Sequence, residues 1–322
     1  MADKKIKLGL IHYPGTLRSA LYGLEELFLM ASQICTEQGV NVVFEPQIID
    51  SHTLRSDANL DVLMLLPSYD EEFYINPAPE LLDWLNSQHK KGTIVATTCA
   101  GAFIAARAGL LEGKACTTHW KLENQFKETF PHITLKTGEI IINQGDVITS
   151  GGMMSWLDLG FELVTLYSKS SVLRELGHIL VIDTSQREQR YYHKFTPRLN
   201  HGDDTILNLQ HYLGTHYQEH LSITMLAEKA CLSERTLQRR FFNATGLKPT
   251  RYIQNLRIQK TCDLLETTSQ PFESIAYSMG YQSASALRKR FIEEMGLTPK
   301  AFRERFYLAN KPYHEKESGP LT

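Results

Sequence analysis

The chain has 322 residues, more than one domain usually holds, so its length predicts at least two hydrophobic cores. The formal net charge is −2, but it is unevenly distributed: residues 205–322 hold 16 Lys and Arg against 11 Asp and Glu, a net +5, which leaves −7 for residues 1–204. Five cysteines without a CxxC pair argue against a disulfide framework or a thiolate zinc site, and we expect no cofactor or metal. No signal peptide and no apolar run of about 20 residues is evident, so we expect a cytoplasmic protein.

The first part of the chain alternates between strand-like and helix-like runs. Short apolar or β-branched runs occur at 6–12, 42–49, 62–66, 93–97, 140–142 and 147–149. Amphipathic segments occur at 23–37, 79–89, 101–108, 120–129 and 155–167. Such alternation predicts an α/β domain in which a doubly wound, mostly parallel sheet is covered by helices on both faces.

Cys99 stands just after the strand-like run 93–97 and just before a helix of small residues. Doubly wound sheets bind ligands beyond the carboxyl ends of their strands, so this turn is the place to expect a site. The position has the geometry of a nucleophile elbow, where a helix dipole would stabilise a thiolate. Three roles stay open for Cys99: ligand contact, plain buried thiol, or working nucleophile. For His119, twenty residues further on, a pocket role and a structural hydrogen bond are both open.

Residues 184–204 are rich in charge and turn formers and lack an apolar period, which indicates an interdomain linker. Three aromatic side chains, Tyr191, Tyr192 and Phe195, are unusual in a solvated linker, so we expect them to dock on one of the domains. The polar tail 311–322 is expected to be disordered.

The last hundred residues contain one helical pattern twice. Leu226 and Ala227 recur 49 positions later as Ile275 and Ala276, and after one extra residue in the second turn the offset becomes 50. The pairs at the larger offset are Leu237 with Leu287, Phe241 with Phe291, Gly246 with Gly296, Leu247 with Leu297, Pro249 with Pro299 and Tyr252 with Phe302. Each copy is typical of two helices joined by a sharp turn, a helix-turn-helix.

The turn of each copy needs a residue that tolerates a bend. Gly280 meets that need in the second copy, whereas Cys231 stands in its place in the first, which makes the first turn the less typical one. Ser233 and Ser283 are predicted N-caps of the two second helices.

The faces of these second helices that are not apolar carry many hydrogen-bond donors. They comprise Arg235, Thr236, Gln238, Arg239 and Arg240 in the first copy, and Ser285, Arg288, Lys289 and Arg290 in the second. One basic helix face is most often merely solvated, but two such helices, each behind a compatible first helix and turn, favour DNA binding. Arg251 is expected to contact the DNA backbone.

The stretch LAEKACLSERTLQRRFFNATGLKPTRYIQNLRIQKTCDLLETT, followed by PFESIAYSMGYQSASALRKRFIEEMGLTPKAFRERF, resembles the DNA-binding domain of AraC/XylS transcription regulators. The resemblance implies a DNA-binding domain over 205–310, with two helix-turn-helix subdomains joined by a long helix at about 249–267. It implies promoter DNA and RNA polymerase as partners. The DNA-reading residues that it implies are Arg235, Thr236, Gln238, Arg239, Ser283, Ser285, Arg288 and Lys289.

Residues 5–183, through CAGAF, AGLLEGKACTTHW and VITSGGMMSWLDLGFELV, resemble the ThiJ/PfpI-like members of the class I glutamine amidotransferase-like superfamily. Within it they are similar to the sensor domain of GlxA-type AraC regulators. The resemblance implies that residues 1–183 form a ligand-sensing and dimerisation domain. The ligand-binding residues would be Cys99, Ala100, His119, Trp120, Ser68 and Tyr69.

The pattern departs from catalytic relatives of that superfamily at two places. Ala20 stands where they carry an acid, and Ser68-Tyr69 replace a Gly-Gly turn; Glu25 and Glu26 on the following helix stay open as substitutes for the acid. The departures favour a sensor over an enzyme.

The sequence therefore predicts a homodimeric transcription regulator, an activator, controlled by a small metabolite such as an amino acid or a quaternary amine. Aromatic side chains suited to an amine are Tyr69, Phe73, Tyr74 and Trp120. Two alternatives stay open: a bifunctional cysteine hydrolase or hydratase that carries a DNA module, and a constitutive architectural DNA binder.

Overall fold

The structure, a computed structural model, describes residues 3–184 and 188–307. The predicted tail 311–322 lies outside the described residues. The chain divides into two compact units, residues 1–190 and 191–322, and the boundary falls inside the stretch 184–204 that the sequence indicates as a linker.

The first unit is built on a six-stranded sheet with strand order β2-β1-β3-β4-β8-β7, and all its pairings are parallel except β7 with β8. Its strands are β1 (Lys4–His12), β2 (Val42–Asp50), β3 (Val62–Leu65), β4 (Ile94–Thr98), β7 (Ile141–Asn143) and β8 (Val147–Ser150). A separate pair joins β5 (Ala115–Cys116) to β6 (Thr134–Leu135). Every predicted strand is present. Strands β3, β4 and β8 could be predicted because strands buried on both faces of a sheet appear in the sequence as continuous apolar or β-branched runs.

Helices cover both faces of this sheet, which confirms the predicted doubly wound α/β class. The helices are α1 (Arg18–Glu37), α2 (Glu71–Ile75), α3 (Pro79–Lys90), α4 (Gly101–Arg107), α5 (Glu123–Thr129), α6 (Trp156–Tyr167) and α7 (Ser170–Leu180). One core lies under α1, α6 and α7, and the other lies under α3 and α4 with contributions from α2 and α5.

The predicted helix over 120–129 is interrupted. A 3-10 turn over Trp120–Leu122 comes first, and its N-cap is His119, whose ring accepts the backbone N–H of Lys121. The α-helix proper begins at Glu123. Helices α2 and α7 and the pair β5–β6 are additions that the sequence pattern did not predict.

The second unit is helical throughout its regular structure. Its helices are α8 (Asp204–His216), α9 (Ile223–Lys229), α10 (Glu234–Thr245), α11 (Pro249–Thr267), α12 (Phe272–Ser278), α13 (Ala284–Met295) and α14 (Pro299–Phe306). One core contains Leu237 and Phe241, and the other contains Leu287 and Phe291. Because α11 supplies side chains to both cores, it joins the two helix-turn-helix subdomains, as predicted.

No helix within residues 3–184 and 188–307 is long and apolar enough to cross a membrane. In the same residues no group of three or more His, Cys, Asp and Glu side chains is placed to hold a metal ion.

Candidate functional sites

The second helix of each helix-turn-helix, α10 or α13, begins at the predicted serine. The Ser233 hydroxyl accepts the backbone N–H of Thr236, and the Ser283 hydroxyl accepts that of Ala286, both at 3.3 Å. Both helices end at a glycine in the left-handed conformation, Gly246 or Gly296. Sequence-local signals therefore determine where both helices begin and end.

The turn before each of these helices contains one residue in the left-handed region. Cys231 adopts φ 52° and Gly280 adopts φ 76°, so the first copy reaches the same backbone conformation with a side chain present. Cys231 is exposed, which leaves room for that side chain. A Cβ on Gly280 would instead lie 2.0 Å from the carbonyl oxygen of Gln218. Only the second turn therefore requires glycine.

Helix α10 presents three donor side chains that make no side-chain hydrogen bond or ion pair with any described residue: Arg235, Gln238 and Arg239. All three are exposed. Thr236 is half-buried, and its hydroxyl accepts a hydrogen bond from Ser233. Unpartnered guanidinium and amide groups on one helix are suited to reach phosphate oxygens or base edges in a major groove.

Helix α13 exposes Ser285 and Lys289 in the same way, and Ser283 at its cap. Arg288 is also exposed but is partly engaged. Its guanidinium lies 3.5 Å from a carboxylate oxygen of Glu273 and 5.4 Å from the centre of the Phe272 ring. Lys289 is therefore the less restrained cation of this helix.

Two arginines expected on the free faces are not free, and for them the prediction is wrong. Arg240 makes a two-pronged ion pair with Asp203, at 2.9 Å from Nε and 2.6 Å from Nη2. Arg290 pairs with Glu293 at 3.0 Å and with Glu294 at 3.1 Å. Both arginines therefore form ion pairs within the second unit.

Arg251 also has a partner in the structure. Its guanidinium lies 2.7 Å from Glu294, which connects α11 to α13. The role expected of Arg251, a contact with the DNA backbone, would require that ion pair to open or to be shared.

In the first unit Cys99 occupies the expected elbow between β4 and α4. Its φ is 55°, a left-handed conformation that non-glycine residues rarely adopt. The backbone is held by two bonds: Cys99 N–H donates to Ser150 O at 2.9 Å, and Cys99 O accepts from the Thr118 hydroxyl at 2.7 Å. The position two residues after Cys99 requires glycine, because a Cβ on Gly101 would lie 2.3 Å from the Leu65 carbonyl oxygen.

The thiol of this elbow is buried. Cys99 is only 4% exposed, and burial raises its pKa to about 12, although a hydrogen bond from the Ala100 backbone acts in the opposite direction. The direction of this pKa shift is opposite to the one expected from stabilisation of a thiolate by the helix dipole.

Within the part of the chain that the structure describes, no acidic or basic side chain is hydrogen-bonded to the Cys99 thiol. Burial lowers the pKa of His119, and among the hydrogen bonds of the described residues its ring makes none to Cys99. Ala20 is fully buried on α1, and neither Glu25 nor Glu26 hydrogen-bonds to the thiol.

Cys99 belongs to a core cluster that includes the aromatic side chains of Tyr13 and Tyr74. Burial, and then the charge of a Cys99 thiolate, raise the pKa of Tyr13. The pKa of Tyr74 is raised by burial first, then by the charge of Glu71, and then by that of Cys99. The hydroxyl of Tyr13 donates to Leu66 O, and its ring stacks on Phe73 with centres 5.4 Å apart. Tyr13 was not among the residues predicted for this site, although its position directly after β1 was an available signal.

The remaining predicted ligand residues fall into different settings. Ser68 is buried, and its hydroxyl donates to Pro14 O and accepts from Asp70 N–H, at 2.9 and 3.0 Å. Tyr69 is 68% exposed. Trp120 is half-buried, and its ring centre is 5.5 Å from that of His119.

A cavity of about 300 Å³ opens at the carboxyl ends of β1 and β2. Its wall includes His12, Tyr13, Arg18, Asp50 and His52. Arg18 makes no side-chain bond with a described residue, whereas Asp50 accepts the backbone N–H of His52, which is the first cause of its lowered pKa. Because Tyr13 also lies near Cys99, it is common to the cavity and the elbow.

Comparison with known proteins agrees with both units. Residues 31–166 match the DJ-1/PfpI family, and residues 226–305 match a helix-turn-helix domain. The HTH-type transcriptional regulator GbdR of Pseudomonas aeruginosa is 25% identical over 239 residues, which are 70% of this chain but 61% of GbdR. The regulator ArgR of the same species is 24% identical over 282 residues, 87% of this chain and 82% of ArgR. The regulator GlxA of Rhizobium meliloti is 24% identical over 210 residues, 64% of each chain.

The fold and the matches define a two-domain protein: a DJ-1/PfpI domain followed by an AraC-type helix-turn-helix domain. The chain is similar to AraC-family regulators that have this architecture, GlxA among them, so the resemblances drawn from the sequence are confirmed.

Proposed function

We propose that this protein is a sequence-specific DNA-binding transcription regulator whose α10 and α13 enter successive segments of a major groove. The observation that carries the proposal is the set of unpartnered donors on two equivalent helices, with Arg235, Gln238 and Arg239 on the first and Lys289 on the second. The 19 residues of α11 span roughly 28 Å at 1.5 Å per residue, of the same order as one turn of B-DNA.

Selection of binding duplexes from a random pool tests this proposal. We expect the full chain to enrich one motif with two separated blocks of preferred bases. Binding that depends only on salt and length, with no enriched motif, would contradict it, because bulk charge alone gives affinity without sequence preference.

We also propose that the DJ-1/PfpI domain senses a small metabolite and is not an enzyme. The burial that raises the pKa of the Cys99 thiol disfavours the thiolate that a nucleophile needs, which supports the sensor over the enzyme. A Cys99→Ser variant should therefore keep DNA binding. Any turnover by the wild type that this variant abolishes would favour the bifunctional enzyme instead.

For the effector we propose the carboxyl end of the sheet, where Cys99, Ala100, His119, Trp120, Ser68 and Tyr69 lie, together with the neighbouring cavity. Arg18 and Asp50 place opposite charges in that cavity, which suits a metabolite with both a carboxylate and an ammonium group.

A thermal-shift screen of the full chain against amino acids and quaternary amines tests the site, because a ligand that binds only the folded form raises the melting temperature. We expect Arg18→Ala to abolish the shift caused by a carboxylate ligand. Arg174→Ala, which removes an exposed arginine of α7, should leave it unchanged. An equal shift in the Arg18 variant would move the site elsewhere.

We further propose that the protein acts as a homodimer through its first domain and activates transcription by contact with RNA polymerase. Sedimentation of the full chain and of the duplex complex tests the first point, and transcription in vitro with purified polymerase tests the second. A monomer at micromolar concentration, or repression of the selected promoter, would contradict the respective point.

A further inference from the structure

The segment Glu188–Phe195, named here the strap, connects the two units and is anchored in each of them. Its first anchor is Gln189, which is 1% exposed although the sequence places it in a polar linker. Its amide oxygen accepts the backbone N–H groups of Trp120 and Gly152 at 3.0 and 2.9 Å. Its amide nitrogen donates to the carbonyl oxygens of Thr118 and Thr137 at 2.9 and 2.7 Å.

Gln189 thus uses its full hydrogen-bonding capacity inside the first unit, two bonds accepted and two donated. Gly151 is required beside it, because a Cβ there would lie 2.4 Å from the Gln189 amide nitrogen. Since buried polar groups are costly to leave unpaired, this side chain cannot leave without cost to its partners.

The bonds of Gln189 reach the elbow. Thr118 donates its hydroxyl to Cys99 O at 2.7 Å and accepts the Gln189 amide at its own carbonyl. Trp120, on the other side of His119, donates its N–H to Gln189. One buried amide therefore holds both ends of the tripeptide Thr118–Trp120 next to Cys99.

The second anchor lies three to six residues further along the strap, within the second unit. The Tyr192 ring meets the Phe306 ring edge-on with centres 5.5 Å apart, and the Arg305 guanidinium donates to the Tyr192 hydroxyl at 3.2 Å. Phe306 packs against the core of the second helix-turn-helix.

Phe195 packs instead on the first helix-turn-helix. Its ring meets the Tyr252 ring edge-on at 5.2 Å, and its N–H donates to the Gln259 side chain of α11 at 2.9 Å. Phe195 and Tyr252 both belong to that core. The strap therefore contacts both cores of the second unit, the one that includes α10 and the one that includes α13.

Only Arg190 and Tyr191 lie between Gln189 and Tyr192 in the chain, and residues Gln189–Tyr192 form a continuous 3-10 turn. We propose that the strap couples the two units. When the hydrogen bonds between Gln189 and the tripeptide 118–120 change, the packing of Tyr192 and Phe195 against the helix-turn-helix cores changes with them. This inference rests on the proposed function for its purpose, but not for its physical test. Coupling between two sites is reciprocal, so a disturbance at either anchor must be felt at the other.

Hydrogen exchange of the full chain, followed by mass spectrometry of peptides without DNA or effector, tests the coupling. We expect Gln189→Ala to raise exchange on the order of tenfold at Trp120 and Gly152, as loss of one hydrogen bond does, and also to raise it at Phe195 in the other unit. Its matched control is Gln144→Ala, an exposed glutamine of the first unit, which should change neither.

The reciprocal variant is Phe195→Ala, which leaves every partner of Gln189 intact. We expect it to raise exchange at Trp120 and Gly152, whereas Phe242→Ala, which removes a 54% exposed phenylalanine of the same unit, should not. If Gln189→Ala does not fold, Phe195→Ala and Tyr192→Ala still test the inference from the other side.

Exchange changes confined to the unit that carries each substitution would overturn the coupling. DNA affinity measured on the same proteins separates the two claims. Coupling without specific DNA binding would refute only the proposed function, and specific binding without coupling would refute only the strap.

Discussion

Arg239 and Arg240 are neighbours on α10 and carry the same charge, yet the structure gives them different roles. Arg239 is exposed and has no partner among the described residues, whereas Arg240 is held by Asp203 through two short bonds. Replacing each by alanine removes one positive charge from the same helix. The two variants therefore control for each other with respect to bulk electrostatics.

We expect Arg239→Ala to lower the preference for the selected duplex over a scrambled one. A bidentate contact with a base gives about 1–3 kcal/mol of discrimination, or roughly fivefold to 150-fold. Arg240→Ala should leave that preference unchanged and lower the melting temperature instead, because Asp203 loses its partner.

Fluorescence anisotropy with competing duplexes at one fixed salt concentration measures the preference, and calorimetry measures the melting temperature. An unchanged preference in Arg239→Ala would refute the assignment of Arg239 to base contact. An equal loss of preference in Arg240→Ala would refute the distinction between the two residues.

Three further predictions concern stability and reactivity. The hydrogen bonds from Arg240 hold the pKa of Asp203 below its ordinary value, so the stability that Asp203 contributes is present above its unfolded-state pKa and is lost as pH falls through its folded-state pKa. The difference in melting temperature between the wild type and Asp203→Asn should therefore vanish in acid. A difference that does not depend on pH would exclude the ion pair as its source. Gly280→Ala should lower the free energy of unfolding in urea by about 2 kcal/mol or more, because of the left-handed φ and the clash with a carbonyl oxygen. Gly214→Ala, in α8 with open space around it, should raise that free energy by about 0.5–1 kcal/mol. Similar effects of the two substitutions would contradict the turn geometry. Iodoacetamide at pH 8 should alkylate the exposed Cys231 first and leave Cys99 unmodified until denaturant is added. Mass spectrometry of peptides measures both reactions. Fast labelling of Cys99 in the native protein would mean that its thiol is accessible and activated.

Local patterns in the sequence were sufficient for most of the fold. The strands were predictable because a sheet buried on both faces produces apolar runs, and α10 and α13 because Ser233 and Ser283 are standard caps. Helix α2, with five residues, is too short to show a period.

The candidate sites were less predictable, since their properties depend on distant partners. Arg240 is indistinguishable from Arg239 in the sequence, because its partner Asp203 is 37 positions away. The position of Cys99 after a strand was evident, but the burial that raises its pKa is a property of the packed core. Gln189 was hidden for the same reason: a polar residue in a polar stretch gives no sign that the folded chain encloses it.

Hydroxyl-radical footprinting of the full chain on a duplex selected from a random pool tests the central claim most directly. The structure predicts protection in two blocks on one face of the duplex, with centres about 10 base pairs apart, and loss of one block when Lys289 and Arg288 are replaced together by alanine. A single block, or uniform weak protection that disappears with added salt, would contradict recognition by two helices.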